Sequence, residues 1–87
     1  MKKSALTSAP TKVKTILEYM LDNGYAKMYQ LEYTRIFNRD QVRIPTWNNM
    51  NRADDMIRFL EHLRRNGIDG HLFNDTRKGG LWFDIID

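Results

Sequence analysis

Residues 56–86 read MIRFLEHLRRNGIDGHLFNDTRKGGLWFDII, and the order of elements within this stretch decides the fold. Ile57, Leu60 and Leu63 recur at helical spacing, and Gly67 stands where a helix ends on a left-handed cap. IDGHLF and LWFDII are strand-forming runs, joined by the turn-rich NDTRKGG with Arg77 and Lys78 at its tip. The expected order is a helix, an abrupt stop and a hairpin. Within the hairpin, Ile68, Gly70 and Leu72 share the core-closing face with Leu81, Phe83 and Ile85, while His71, Phe73 and Trp82 point the other way. An outward Trp82 is either a partner anchor or a ring covered by the N-terminal arm or a helix end.

Upstream, this helix has two candidate starts. With Thr46 as cap, Trp47, Met50, Ala53, Ile57, Leu60 and Leu63 continue one stripe. With Asn51 as cap, Asp54 and Asp55 complement the positive helix end. Both starts leave TWNNMNR, residues 46–52, at or just before the amino-terminal end. Asp54 with Arg58 and Glu61 with Arg65 are the i,i+4 pairs of a solvated helix face.

In NRDQVRIPT, residues 38–46, Pro45 interrupts regular structure and pushes Ile44 toward an extended conformation. Val42 and Ile44 alternate around Arg43, as in a short extended segment. Residues 27–36, KMYQLEYTRI, are expected as a second helix. Tyr25, Tyr29 and Tyr33 recur every four residues, a stripe that either packs in the core or stacks bases. A first helix runs from Thr11, with Val13, Ile16, Leu17, Met20 and Leu21 on its buried side and Gly24 as its cap. Ser8 is expected to cap it, with Pro10 near its start. Residues 1–9 form an expected flexible basic arm, and 10–87 a single domain.

Eighty-seven residues suffice for one domain. The absence of cysteine removes disulfides, thiolate zinc sites and thiol nucleophiles. No apolar run approaches the roughly 20 residues of a membrane span. The N-terminal lysines have no hydrophobic segment behind them, so no secretory signal and a cytoplasmic location are expected. The net charge of +3 is unevenly spread. Lys2, Lys3, Lys12 and Lys14 precede the first acid, Glu18, and Arg35, Arg39, Arg43 and Arg52 enclose one acid, Asp40. Such concentrations attract phosphate backbones. His62 and His71 have no nucleophile or ligand pattern around them, and the carboxylates are scattered. A non-enzymatic protein is expected, with no catalytic residues, no metal and no cofactor.

The segment MIRFLEHLRRNGID resembles the end of small winged helix-turn-helix proteins of bacteriophages and bacteria. Their last helix often closes on Leu-Arg-x-x-Gly before a strand and a wing, and here Leu63, Arg64, Gly67 and Ile68 carry the pattern. The resemblance implies an α+β winged helix: three helices followed by a C-terminal β-hairpin wing. It implies a DNA-binding module on double-stranded DNA, in transcription regulation or as an accessory factor of a phage or bacterium. In that reading Asn48, Asn49, Asn51 and Arg52 offer hydrogen bonds to base edges from the helix start. Thr46 touches phosphate, Arg77 and Lys78 follow the backbone from the wing, and Lys12, Lys14, Arg39 and Arg43 extend the basic surface. The alternative is a winged-helix protein-binding adaptor, or an inhibitor of a host complex, docking through Trp47, Phe73, Trp82 and the tyrosines. Segment 38–46 is longer than the turn of about three or four residues in a compact helix-turn-helix.

Overall fold

The computed structural model describes residues 1–45 and 53–86. Among these, the chain forms helices α1 (Lys3–Ser8), α2 (Thr11–Asp22) and α3 (Ala53–Arg65). It also forms strands β1 (Tyr33–Ile36), β2 (Arg39–Ile44), β3 (Asp69–Asn74) and β4 (Leu81–Ile86). The strands make one antiparallel sheet in the order β1-β2-β4-β3. Two hairpins are therefore fused along β2 and β4, where Val42 pairs with Phe83. This is a mixed α+β architecture, and it overturns the winged-helix expectation. Two strands precede α3, and the hairpin expected as a projecting wing contributes β4 to the centre of the sheet.

The departure originates in residues 27–36. Instead of a helix, this stretch holds a short 3-10 turn, Met28–Gln30, followed by β1. Tyr33, Thr34 and Ile36 are aromatic or β-branched, types that lose rotamer freedom in a helix and pack well on a pleated surface. Tyr33 pairs with Val42 and Thr34 with Gln41. The tyrosine stripe dissolves accordingly. Tyr29 is 75% exposed, whereas Tyr25 and Tyr33 pack against the core. Phe37 and Asn38 connect the strands with φ of 52° and 63°, both positive as a type I′ turn requires. In β2 the expected alternation is present: Val42 and Ile44 are fully buried, with Arg43 between them on the other face.

Helix α2 buries Val13, Ile16, Leu17 and Met20, as their spacing predicts. Its start differs from expectation. Pro10 occupies the capping position, while Ser8 ends α1 and donates its hydroxyl to the Ser4 carbonyl at 2.9 Å. Within the segment expected as an arm, α1 places Leu6 in the core beside Ala9. Helix α3 buries Phe59 and Leu63 with Met56 against the core, whereas Ile57 and Leu60 remain exposed. Two apolar lines run side by side along this helix. The line through Met56, Phe59 and Leu63 leads into buried Ile68, and it is the one that meets the sheet. Asp55, rather than Asp54, pairs with Arg58 at 3.5 Å, and Glu61 pairs with Arg65 at 3.6 Å. Asp55 also accepts the Tyr25 hydroxyl at 3.1 Å; burial, with this bond second, raises the phenol above its ordinary pKa.

Both long helices stop in the same way. Gly24 and Gly67 take φ of 70° and 67°. The following N–H groups, of Tyr25 and Ile68, reach back to the carbonyls of Met20 and Leu63, each at 2.9 Å, closing a Schellman motif. Asn23 and Asn66 each donate a side-chain N–H at 2.8 Å, to the carbonyls of Tyr19 and His62 respectively. The rings of Tyr19 and His62 lie 4.3 Å apart, centroid to centroid. The core fills the space between this helical layer and one sheet face, where Val42, Ile44, Phe83 and Ile85 point. Each such side chain contributes about 1.5–3 kcal/mol by leaving water. No helix among the described residues is long and apolar enough to cross a membrane.

Candidate functional site

Strand alternation sends a second set of side chains to the face away from the helices. Thr34, Gln41, Asp84 and His71 form one row across all four strands, with Arg43, Trp82 and Phe73 in the next. Asp84 is buried within this face. Its carboxylate pairs with Arg39, accepts the Gln41 amide at 3.2 Å and lies 3.7 Å from His71 Nε2. Trp82 points away from the core as expected, yet it is fully buried. Lys78 Nζ lies 4.1 Å from its ring centroid, Arg43 lies 5.9 Å away, and its indole N–H donates to the Gly79 carbonyl at 2.9 Å. Among the described residues, the contacts to this ring come from the cationic pair and from Gly79 of the 75–80 loop. A ring so enclosed presents nothing to a partner, which removes it as an anchor.

The 75–80 loop is internally organised. One carboxylate oxygen of Asp75 accepts the backbone N–H groups of Arg77 and Lys78, both at 2.8 Å. These bonds, that of Lys78 foremost, hold the Asp75 carboxyl below its ordinary pKa. Lys78 Nζ in turn reaches Asp75 at 3.4 Å and donates to the Gln41 side-chain oxygen at 2.7 Å, which draws the loop over the sheet. Between this loop and the β1–β2 turn lies an open cleft of about 380 Å³, lined by Ile36, Phe37, Gln41, Phe73, Arg77 and Lys78 among others. Phe37 is 95% exposed at its edge. The Arg77 side chain is exposed and has no partner among the described residues. A second cleft, of about 420 Å³, lies at the helix ends beside Glu18, Tyr19, Asp22 and His62. No cluster of three or more His, Cys, Asp or Glu side chains able to hold a metal occurs among the described residues.

Of the binding residues expected from sequence, Arg39, Arg43, Arg77 and Lys78 come together on the open face. Three of them stand beside carboxylates: Arg39 with Asp84, Arg43 with Glu32 at 3.5 Å, and Lys78 with Asp75. Lys12 and Lys14 belong to α2, in the other layer. Thr46, Asn48, Asn49, Asn51 and Arg52, with Trp47, lie outside the described residues, as do both candidate helix starts. Sequence reasoning missed Ile36, Phe37 and Gln41. The signal that could have found them is the run YTRI-FN-RDQVRI, two alternating segments around an asparagine-containing two-residue turn. No protein-family model, curated protein or solved structure matches the chain, so the geometry of this face carries the functional reading.

Proposed function

We propose that the protein is a non-enzymatic nucleic-acid-binding domain that meets its partner with the open face of its sheet. The observation that carries this reading is the set of Arg39, Arg43, Arg77 and Lys78 on one sheet face, where Arg77 and Lys78 line a cleft with the exposed Phe37 and half-buried Phe73 rings. Cationic side chains on phosphates release condensed counterions, and aromatic faces stack on bases. Of the ion pairs on this face, that of Arg43 is the accessible one, whereas Arg39 is held by buried Asp84 and Lys78 by Asp75 and Gln41. Glu32 is 55% exposed in its pair with Arg43, and pairs this accessible contribute at most about 1 kcal/mol, so a phosphate can compete for the guanidinium. A cytoplasmic location belongs to the same proposal.

A protein-docking role is the second reading. It is favoured by Phe37, whose exposed ring at a turn tip is the kind of anchor a partner's pocket takes. Fluorescence anisotropy separates the two, using mixed-sequence duplex and single-stranded probes at low and then rising salt. The expected result is binding that weakens steeply with salt and is reduced by Arg77→Glu, a reversal that breaks no ion pair among the described residues. Failure to bind either probe at low salt overturns the nucleic-acid reading and leaves the docking role.

A further inference from the structure

We infer that the cleft between the Phe37 turn and the 75–80 loop seats an unpaired nucleotide of a single strand, its base against Phe37 and its phosphate against Arg77. This rests on the nucleic-acid reading above. Phe37 is the starting point. Its φ of 52° lies in the left-handed region, which a bulky side chain strongly disfavours. Asparagine or glycine would serve a type I′ turn better. With the ring 95% exposed, packing inside the chain gives almost no compensation for that strain. A strained residue held by its surroundings, with its side chain directed to solvent, points to a use outside the fold.

The surroundings define that use. Ile36 and Phe73 supply further apolar surface, and about 380 Å³ is within the range of small-ligand sites. Arg77 lines the same cleft, and of the four basic residues on this face it alone lacks a partner among the described residues. An aromatic face beside an available cation complements a base and its phosphate. A duplex is a poor match. Its bases cover one another's faces, so a ring reaches one only after a step is unstacked. In a single strand the base faces are accessible.

The test uses the full chain, a fluorescein-labelled oligodeoxythymidylate of about 12 nucleotides and a duplex of equal length. Phe37→Asn is the informative variant, because it removes the ring while suiting the turn; its melting temperature is expected to rise. The parent should bind the single strand more tightly than the duplex. Phe37→Asn should weaken single-strand binding by about 5- to 150-fold, the range for losing one stacked base. Arg77→Ala should lower the salt slope on the single strand by about 0.7, the value for one phosphate. Equal or tighter binding of the duplex, or unchanged single-strand affinity in a folded Phe37→Asn protein, overturns this inference while leaving the broader reading intact. Absence of binding to both probes at low salt overturns both.

Discussion

Replacing Gly70 by alanine adds one methyl group to β3, opposite Ile85. Judged by conformational entropy alone, the change favours folding by about 0.5–1 kcal/mol, since glycine loses more freedom than alanine in a strand. The packing reverses the sign. A Cβ at Gly70 would approach two Phe83 ring carbons to 2.7 Å and the Asp84 backbone oxygen more closely still. Neither neighbour has room to retreat. Phe83 is 2% exposed and meets Phe59 edge-on at 6.1 Å between centroids, and the oxygen belongs to β4, which is paired on both sides. Overpacking a closed site costs about 1–3 kcal/mol, and disturbing a ladder hydrogen bond adds about 1 kcal/mol. After the entropic gain, a net loss of about 1–3.5 kcal/mol remains. At about 4–8 °C per kcal/mol for a domain of this size, the midpoint should fall by roughly 4–28 °C in thermal unfolding followed by circular dichroism. Gly67→Ala provides the comparison. Its Cβ meets open space and only the positive φ opposes it, so it should cost about 1 kcal/mol. If Gly70→Ala melts within a few degrees of the parent, or above Gly67→Ala, the close approach of β3 to β4 is refuted.

Two further perturbations probe the open face. Trp82→Ala should destabilise by about 3–5 kcal/mol in denaturant unfolding, because a fully buried ring leaves a cavity; a loss below about 1 kcal/mol would mean that Arg43 and Lys78 do not enclose it. Asp75 sets the acid limit of the 75–80 loop. Its carboxyl titrates below the ordinary 3.8, so the unfolded chain takes up the proton first; the stabilisation is complete well above 3.8 and is lost as pH falls through the lower folded value. Amide shifts of Arg77 and Lys78 in an acid titration should therefore inflect below 3.8, and an inflection at or above that value would count against the two N–H bonds to Asp75.

The parts of the fold legible in the sequence are those where one local rule acts without competition. The stripe from Val13 to Met20, the caps at Gly24 and Gly67 and the alternation from Leu81 to Ile86 all fall in this class. In β1 the four-residue tyrosine spacing competes with the strand preference of Tyr33, Thr34 and Ile36, and pairing with β2, a non-local contact, decides the outcome. In α3 two apolar lines have similar composition, and only the position of the sheet selects the one through Phe59. Site residues divide in the same way. Arg39, Arg43, Arg77 and Lys78 stood out by charge, but their convergence depends on strand order, which no local pattern encodes. Phe37 carried no mark of function, because its significance lies in a positive φ and an unpacked ring.

The matching helix ends have a wider meaning. Leu17-Glu18 through Asn23-Gly24 and Leu60-Glu61 through Asn66-Gly67 are the same pattern at the same spacing, and each helix is followed by a hairpin. The two hairpins join antiparallel along their second strands, and Tyr19 and His62, equivalent positions in the two runs, contact each other. The chain thus repeats the order helix, glycine cap and hairpin twice, and the two hairpins meet at the centre of one sheet. The two hairpin connections differ: one is the tight Phe37-Asn38 turn, the other the longer 75–80 loop that folds back over the sheet. The cleft lies between these two unequal connections, so two hairpins of like order carry a single, one-sided site.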